Sequence, residues 1–142
     1  MLAAPPAPSG AFLLAVVPHS GSIVDGSGGC VDNVSNRTVE GNFIKVWPCN
    51  DSGAQVWDHG SDQTLRTRGK CMRPASMASG ASIALYTCTG ASSEAWRFRS
   101  DGVLVNIASG LCLQNPGPSA AAGRHLVLRA CSPGSGQLWS MP

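Results

Sequence analysis

Three tryptophans, Trp57, Trp96 and Trp139, each stand eight residues after a cysteine (Cys49, Cys88, Cys131), and each of those cysteines stands eight residues after a glycine (Gly41, Gly80, Gly123). An earlier cysteine opens each segment (Cys30, Cys71, Cys112), with a glycine two residues before it (Gly28, Gly69, Gly110). Gln55, Glu94 and Gln137 lie two residues before the tryptophans. These registered positions define a repeat of about 40 residues, present three times from about Ile23 to the chain end. A unit so short cannot bury a core alone, so the copies must share one. Closure about a threefold axis would also remove the free sheet edges that invite aggregation.

Each unit carries an alternating stretch before its second cysteine: Ile44-Lys45-Val46-Trp47, Ile83-Ala84-Leu85-Tyr86 and Leu126-Val127-Leu128-Arg129. Period two with apolar residues on one face predicts a strand with one buried side. Each Trp follows a polar turn onto another such strand, as in Ala95-Trp96-Arg97-Phe98, and helical periodicity is absent. With 17 glycines and 10 prolines in 142 residues, turns are plentiful, so the expectation is an all-β domain. A net charge of +2 gives no case for a nucleic-acid partner. No run reaches the roughly 18 apolar residues of a membrane span.

Residues 1–20 read as a disordered arm or linker, with Ala11–Val17 (AFLLAVV) suited to a first strand. As a signal peptide that run is poor, because no basic residue precedes it and no Ala-x-Ala follows. Residues 21–142 form the domain, in units of about 21–62, 63–101 and 102–142. The six cysteines form no CxxC pair, which favours disulfides and an oxidising compartment. Six buried free thiols are the alternative, and they leave the spacing unexplained. Fifteen connectivities are open to six cysteines, and the repeat selects Cys30–Cys49, Cys71–Cys88 and Cys112–Cys131 as the simplest.

Gln55-Val56-Trp57 and Gln137-Leu138-Trp139, with Glu94-Ala95-Trp96 as a variant, resemble the Gln-x-Trp signature of ricin B-chain type lectin domains. Gly29-Cys30-Val31-Asp32 and Val46-Trp47-Pro48-Cys49-Asn50 fit the same pattern, and the match covers about 120 residues. The resemblance implies a β-trefoil of twelve strands with three potential sugar pockets, secreted and binding carbohydrate without catalysis. In such a pocket an acid two residues after the first cysteine accepts hydrogen bonds from neighbouring sugar hydroxyls. A ring two residues before the second cysteine covers the C–H face of the sugar. A polar helper precedes the Gln, and the Gln orients the acid.

In the first unit these positions hold Asp32, Trp47, Ala54 and Gln55. Acid, ring and amide are present, and Lys45 or Asn50 is expected to donate in place of the helper that Ala54 lacks. The second unit holds Arg73, Tyr86, Ser93 and Glu94, a second candidate pocket in which Arg73 and Glu94 are expected to form an ion pair. Arg66, Arg68 and Lys70 are expected to alternate along one strand, a basic stripe that would suit sulfated or uronic-acid glycans. The third unit holds Gln114, Arg129, Gly136 and Gln137, with neither acid nor ring, and reads as structural.

His19, His59 and His125 are isolated and read as surface residues, so no metal site is expected, and no cofactor either. The three motif tryptophans read as core. No nucleophile elbow or phosphate loop is present, which argues against an enzyme. Two functions remain. One is a module for galactose-, arabinose- or xylan-like glycans, acting alone or as the targeting domain of a secreted glycoside hydrolase. The other is a trefoil scaffold that binds a protein, as an inhibitor or adhesin, with inactive sugar pockets.

Overall fold

The computed structural model describes residues 18–117, 123–134 and 136–142. The stretch Ala11–Val17 lies outside the described residues. The first unit supplies β2 (Val24–Asp25), β3 (Cys30–Asn33), β4 (Asn42–Trp47) and β5 (Trp57–His59), preceded by an extra strand, β1 (His19–Gly21). The second supplies β6 (Leu65–Thr67), β7 (Lys70–Pro74), β8 (Ile83–Tyr86) and β9 (Trp96–Phe98). The third supplies β10 (Leu104–Asn106), β11 (Cys112–Gln114), β12 (Val127–Arg129) and β13 (Trp139–Ser140). Four strands per unit make the expected twelve. β1 lies outside the repeat and pairs antiparallel with β5, placing His19 opposite His59.

Register repeats with sequence. In the central hairpin of each unit the first cysteine faces the residue two before the second: Cys30 opposite Trp47, Cys71 opposite Tyr86, Cys112 opposite Arg129. The pairing brings the cysteines of each unit together, and the bridges are Cys30–Cys49, Cys71–Cys88 and Cys112–Cys131, as the repeat implied. Loops of 17 to 19 residues give each bridge about 3 kcal/mol in the chain-entropy account. Neighbouring units join where β4 meets β8, Ser82 meets Val127, and Lys45 meets His125.

The inward faces of all three units merge into one core. Ile44, Val46, Ile83, Leu85, Leu126 and Leu128 are each 0–1% exposed, as the alternation predicts. Ala84 is buried as well, between its cross-strand partners Arg73 on β7 and Phe43 on β4. Trp57, Trp96 and Trp139 are core residues, and each indole N–H donates to the backbone of its own unit. The acceptors are the carbonyls of Val31, Met72 and Leu113, at 3.0, 2.9 and 3.0 Å. A buried indole needs that acceptor, so the tryptophan fixes each hairpin against the shared core.

One of the three histidines departs from expectation. His59 is buried rather than superficial: its Nε2 meets the Trp96 carbonyl at 3.0 Å, and its ring stands edge-on to Phe98.

Candidate functional site

In the first unit, β3 and β4 set the candidate residues side by side. Asp32 faces Lys45 across the hairpin, and Trp47 lies two residues further along the same outward face. Asp32 is only 5% exposed, so its carboxylate requires a donor. Gln55 provides it, through Nε2 to Oδ2 at 2.9 Å. The amide is itself pinned, because Nε2 also donates to the Pro48 carbonyl (3.1 Å) and Oε1 accepts from the Asn50 N–H (3.0 Å). Held on three sides, Gln55 fixes the acid in one orientation. Asp32 Oδ1 has no donor among the described residues and is not sealed from the surface, which leaves it free to accept.

Trp47 is 37% exposed, with the Lys45 ammonium 4.0 Å from a ring centroid, at cation–π distance. The edge of the indole abuts the third unit, where a Cβ on Gly123 would sit 2.9 Å from Cζ3. Acid, ring and orienting amide thus come together as expected, and Lys45 joins them. Asn50 does not: its side-chain oxygen accepts from the Ser52 N–H at 3.0 Å and closes its own turn. Ala54 is buried in the turn Gly53–Gln55. Against that turn lies Asn36, with Nδ2 3.5 Å from where a Cβ on Gly53 would be.

The second unit departs from the expected ion pair. Glu94 is buried and turns toward the preceding loop, accepting from Thr89 N–H, Thr89 Oγ1 and Gly90 N–H at 2.8–3.0 Å. Arg73 instead lies over Tyr86, Cζ 3.6 Å from the ring centroid, and donates to the Pro74 carbonyl at 2.9 Å. Thr89 and Gly90 satisfy the carboxylate, so the arginine is released to the ring. The expected basic stripe is a hairpin instead. Arg66 is on β6, Arg68 sits in the turn with φ 51°, and Lys70 is on β7. Arg66 pairs with Asp62 and Lys70 with Glu40, which neutralises much of its charge.

In the third unit Gln137 Nε2 donates to Gln114 Oε1 at 3.0 Å and to the Ala130 carbonyl at 2.9 Å, while its Oε1 accepts from the Ser132 N–H. An amide pair therefore replaces the amide–acid pair of the first unit. Arg129, in the ring position, donates to the Leu128 carbonyl.

Grooves lie elsewhere among the described residues, and two carry polar or aromatic groups. One, of about 200 Å³, is lined by Asp25, Ser27, Asn115 and Gly136, and its carboxylate is already engaged by Ser27, Gly29 and Asn115. The other, of about 310 Å³, lies between His19, His59, Phe98 and Met141. Neither includes Asp32 or Trp47. A flat ring beside a fixed acceptor needs no deep cavity to hold a sugar, because the sugar offers one C–H face and hydroxyls at its rim.

Sequence reasoning missed the aromatic neighbour of this site. Phe43 shares the outward face of β4 with Lys45 and Trp47, is 44% exposed, and stacks on His125 with ring centroids 4.1 Å apart. Extending the period-two reading of Ile44–Trp47 by one residue would have found Phe43. His125 comes from another unit and left no such signal.

These features define a disulfide-bridged β-trefoil whose three hairpins carry related positions, one of them retaining acid, amide and ring. The chain belongs to the ricin-type β-trefoil lectin domain family, whose model matches residues 19–140, and which is a class of carbohydrate-binding module. It is 34% identical to nigrin b of Sambucus nigra over 109 residues, covering 75% of this chain and 19% of that protein. It is 29% identical to the β-galactoside-specific lectin 2 of Viscum album over 122 residues, covering 82% and 22%. The solved agglutinin from Abrus precatorius superposes with a TM-score of 0.81 at 30% identity, over 87% of this chain and 48% of that one. The chain therefore spans about a fifth of the length of the two relatives and about half of the solved agglutinin chain.

Proposed function

We propose that the chain is a secreted, non-catalytic glycan-binding module whose working site is Asp32, Lys45, Trp47 and Gln55, for galactose-, arabinose- or xylan-like sugars. The observation that carries this reading is the Gln55–Asp32 hydrogen bond, which aims a fixed acceptor beside an exposed indole. Asp32 Oδ1 accepts from a sugar hydroxyl, the C–H face lies on Trp47, and the Lys45 ammonium moves off the ring to donate to a second hydroxyl. The Viscum relative is by name β-galactoside-specific, which supports a galactose-like ligand. Three disulfides suit an extracellular setting.

A monosaccharide of about a dozen heavy atoms at roughly 0.3 kcal/mol each gives a site near the millimolar range. One weak site then works through longer glycans or through tethering to a catalytic domain. Arg73, Tyr86 and Glu94 do not make a second copy in this reading, because Arg73 stands where the first unit has its acid and the Glu94 carboxylate is committed to Thr89 and Gly90.

The test is a glycan array followed by calorimetric titration of the oxidised protein beside Asp32→Ala. Loss of at least tenfold in affinity for a neutral glycan supports the reading. Binding that survives the substitution refutes this site. Absence of binding to any glycan leaves the protein-binding scaffold.

A further inference from the structure

We propose that the site of the first unit continues onto Phe43 and His125, which form a second subsite for a ring further along the same glycan chain, beyond the one adjoining Trp47. This rests on the reading above: the natural ligand is an oligosaccharide or polysaccharide rather than a single terminal sugar.

The placement follows from β4. Phe43, Lys45 and Trp47 alternate with the buried Asn42, Ile44 and Val46, so all three side chains stand on the outward face. The two rings stand four positions apart, roughly 13 Å along an extended strand. That distance exceeds the reach of one pyranose ring lying on Trp47. The third unit runs alongside: Lys45 faces His125 in an antiparallel bridge, and Gly123 abuts Trp47. The result is a continuous track from indole to ammonium to stacked phenyl and imidazole.

Phe43 has the character of a ligand platform. It lies at the edge of the hydrophobic interior without entering it, and 44% of it faces solvent. Its ring stacks on that of His125, inclined by 18°. That stack restrains the phenyl before any ligand arrives, which lowers the ordering cost of binding.

The chemistry along the track selects its occupant. Lys45 interrupts the apolar surface midway, and the acid Asp32 faces it across the hairpin. The core of a protein interface is depleted in charge, so this pattern suits a protein partner poorly. A glycan has the matching alternation. Its C–H faces lie on Trp47 and Phe43, and the hydroxyls between them accept from Lys45.

The experiment titrates galactose, arabinose and xylose, each beside its own hexasaccharide, against the wild type, Phe43→Ala, Phe43→Trp and His125→Ala. The hexasaccharide of the recognised sugar is expected to bind the wild type about tenfold tighter than its monosaccharide. Phe43→Ala is expected to remove that gain, losing about five- to tenfold for the hexasaccharide, as fits one aromatic platform. Its monosaccharide affinity is unchanged, which doubles as the control for folding. Phe43→Trp keeps the gain, and His125→Ala loses part of it through a less restrained phenyl.

Equal losses for both ligands in Phe43→Ala, no loss for either, or a wild type without preference for the longer chain would each overturn the second subsite. The first two outcomes leave the Asp32–Trp47 site standing. A wild type that binds neither ligand of any pair removes both readings.

Discussion

Gln55→Glu tests whether the amide works by donating to Asp32. The wild-type Nε2 makes two hydrogen bonds, to the buried Asp32 carboxylate and to the Pro48 carbonyl, and Oε1 makes one from the Asn50 N–H. A carboxylate keeps only the acceptor function. Its second oxygen would face Asp32 as a like charge and the Pro48 carbonyl as a like dipole. Coulomb repulsion in that setting would be large, but protonation of the introduced carboxyl sets a ceiling on it. Holding a carboxyl of ordinary pKa near 4.3 neutral at pH 7 costs about 3.7 kcal/mol, and the resulting O–H can donate to Asp32. The Pro48 hydrogen bond is still lost, at about 1 kcal/mol. The variant is therefore destabilised by up to about 5 kcal/mol at pH 7.

The pH dependence identifies the cause. In this variant the folded-state pKa of the introduced carboxyl is raised, so its penalty is present at high pH and fades as pH falls toward the unfolded value. At pH 5 the protonation cost is about 1 kcal/mol, so the ceiling on the penalty drops to about 2 kcal/mol. Urea unfolding of wild type and variant at pH 7 and pH 5, analysed as two-state, measures both differences. Adding Asp32→Asn supplies an amide donor to the new carboxylate and is expected to recover most of the loss at pH 7. A penalty that is the same at both pH values, or an Asp32→Asn that brings no recovery, would refute the donor argument.

Two further outcomes follow from contacts between units. Gly123→Ala places a Cβ 2.9 Å from the Trp47 ring at a residue with φ 64°, and is expected to cost about 1–2 kcal/mol, to shift indole fluorescence and to weaken monosaccharide binding; unchanged fluorescence and affinity would separate Trp47 from the third unit. Glu40, held by Lys70 and by Thr87 of the second unit, has its carboxyl lowered from 4.5 to about 2. A depressed pKa contributes stability that is present above the unfolded value near 4.5 and lost as pH falls toward 2, so Glu40→Gln is expected to lower the urea midpoint at pH 7 but to match wild type near pH 2.

What was legible in the sequence was what recurs. Trp57, Trp96 and Trp139 showed the unit because each fills the same core position, and the cysteines showed their partners because each hairpin has the same register. Contacts unique to one place left less trace. Among the described residues β1 has no counterpart in the other units. The stack of Phe43 on His125 joins residues of different units, which no period within one unit can reveal. Pairing Arg73 with Glu94 by charge overlooked the N–H groups of Thr89 and Gly90, which lie nearer the carboxylate in sequence. A signal for the Arg66–Lys70 hairpin was present and unread: Gly69 matches Gly28 and Gly110, and all three have positive φ.

The three copies also separate what folding requires from what binding requires. Gln55, Glu94 and Gln137 each accept from a backbone N–H five residues earlier, that of Asn50, Thr89 and Ser132. The acceptor oxygen at this position is thus a demand of the turn, met equally by amide and acid. The donor nitrogen serves the hairpin residue beside it where that residue accepts, as Asp32 and Gln114 do, together with the carbonyl of Pro48 or Ala130. Where that residue is Arg73, glutamate is tolerated and the donor is gone. Gln114 needs the donor as Asp32 does, yet its unit has Arg129 in place of a ring. Donor and ring therefore vary independently among the copies, and nothing in the turn or the core requires them together. Their coincidence with an acid in the first unit is the combination that a sugar requires, and it is the ground for proposing the binding function there.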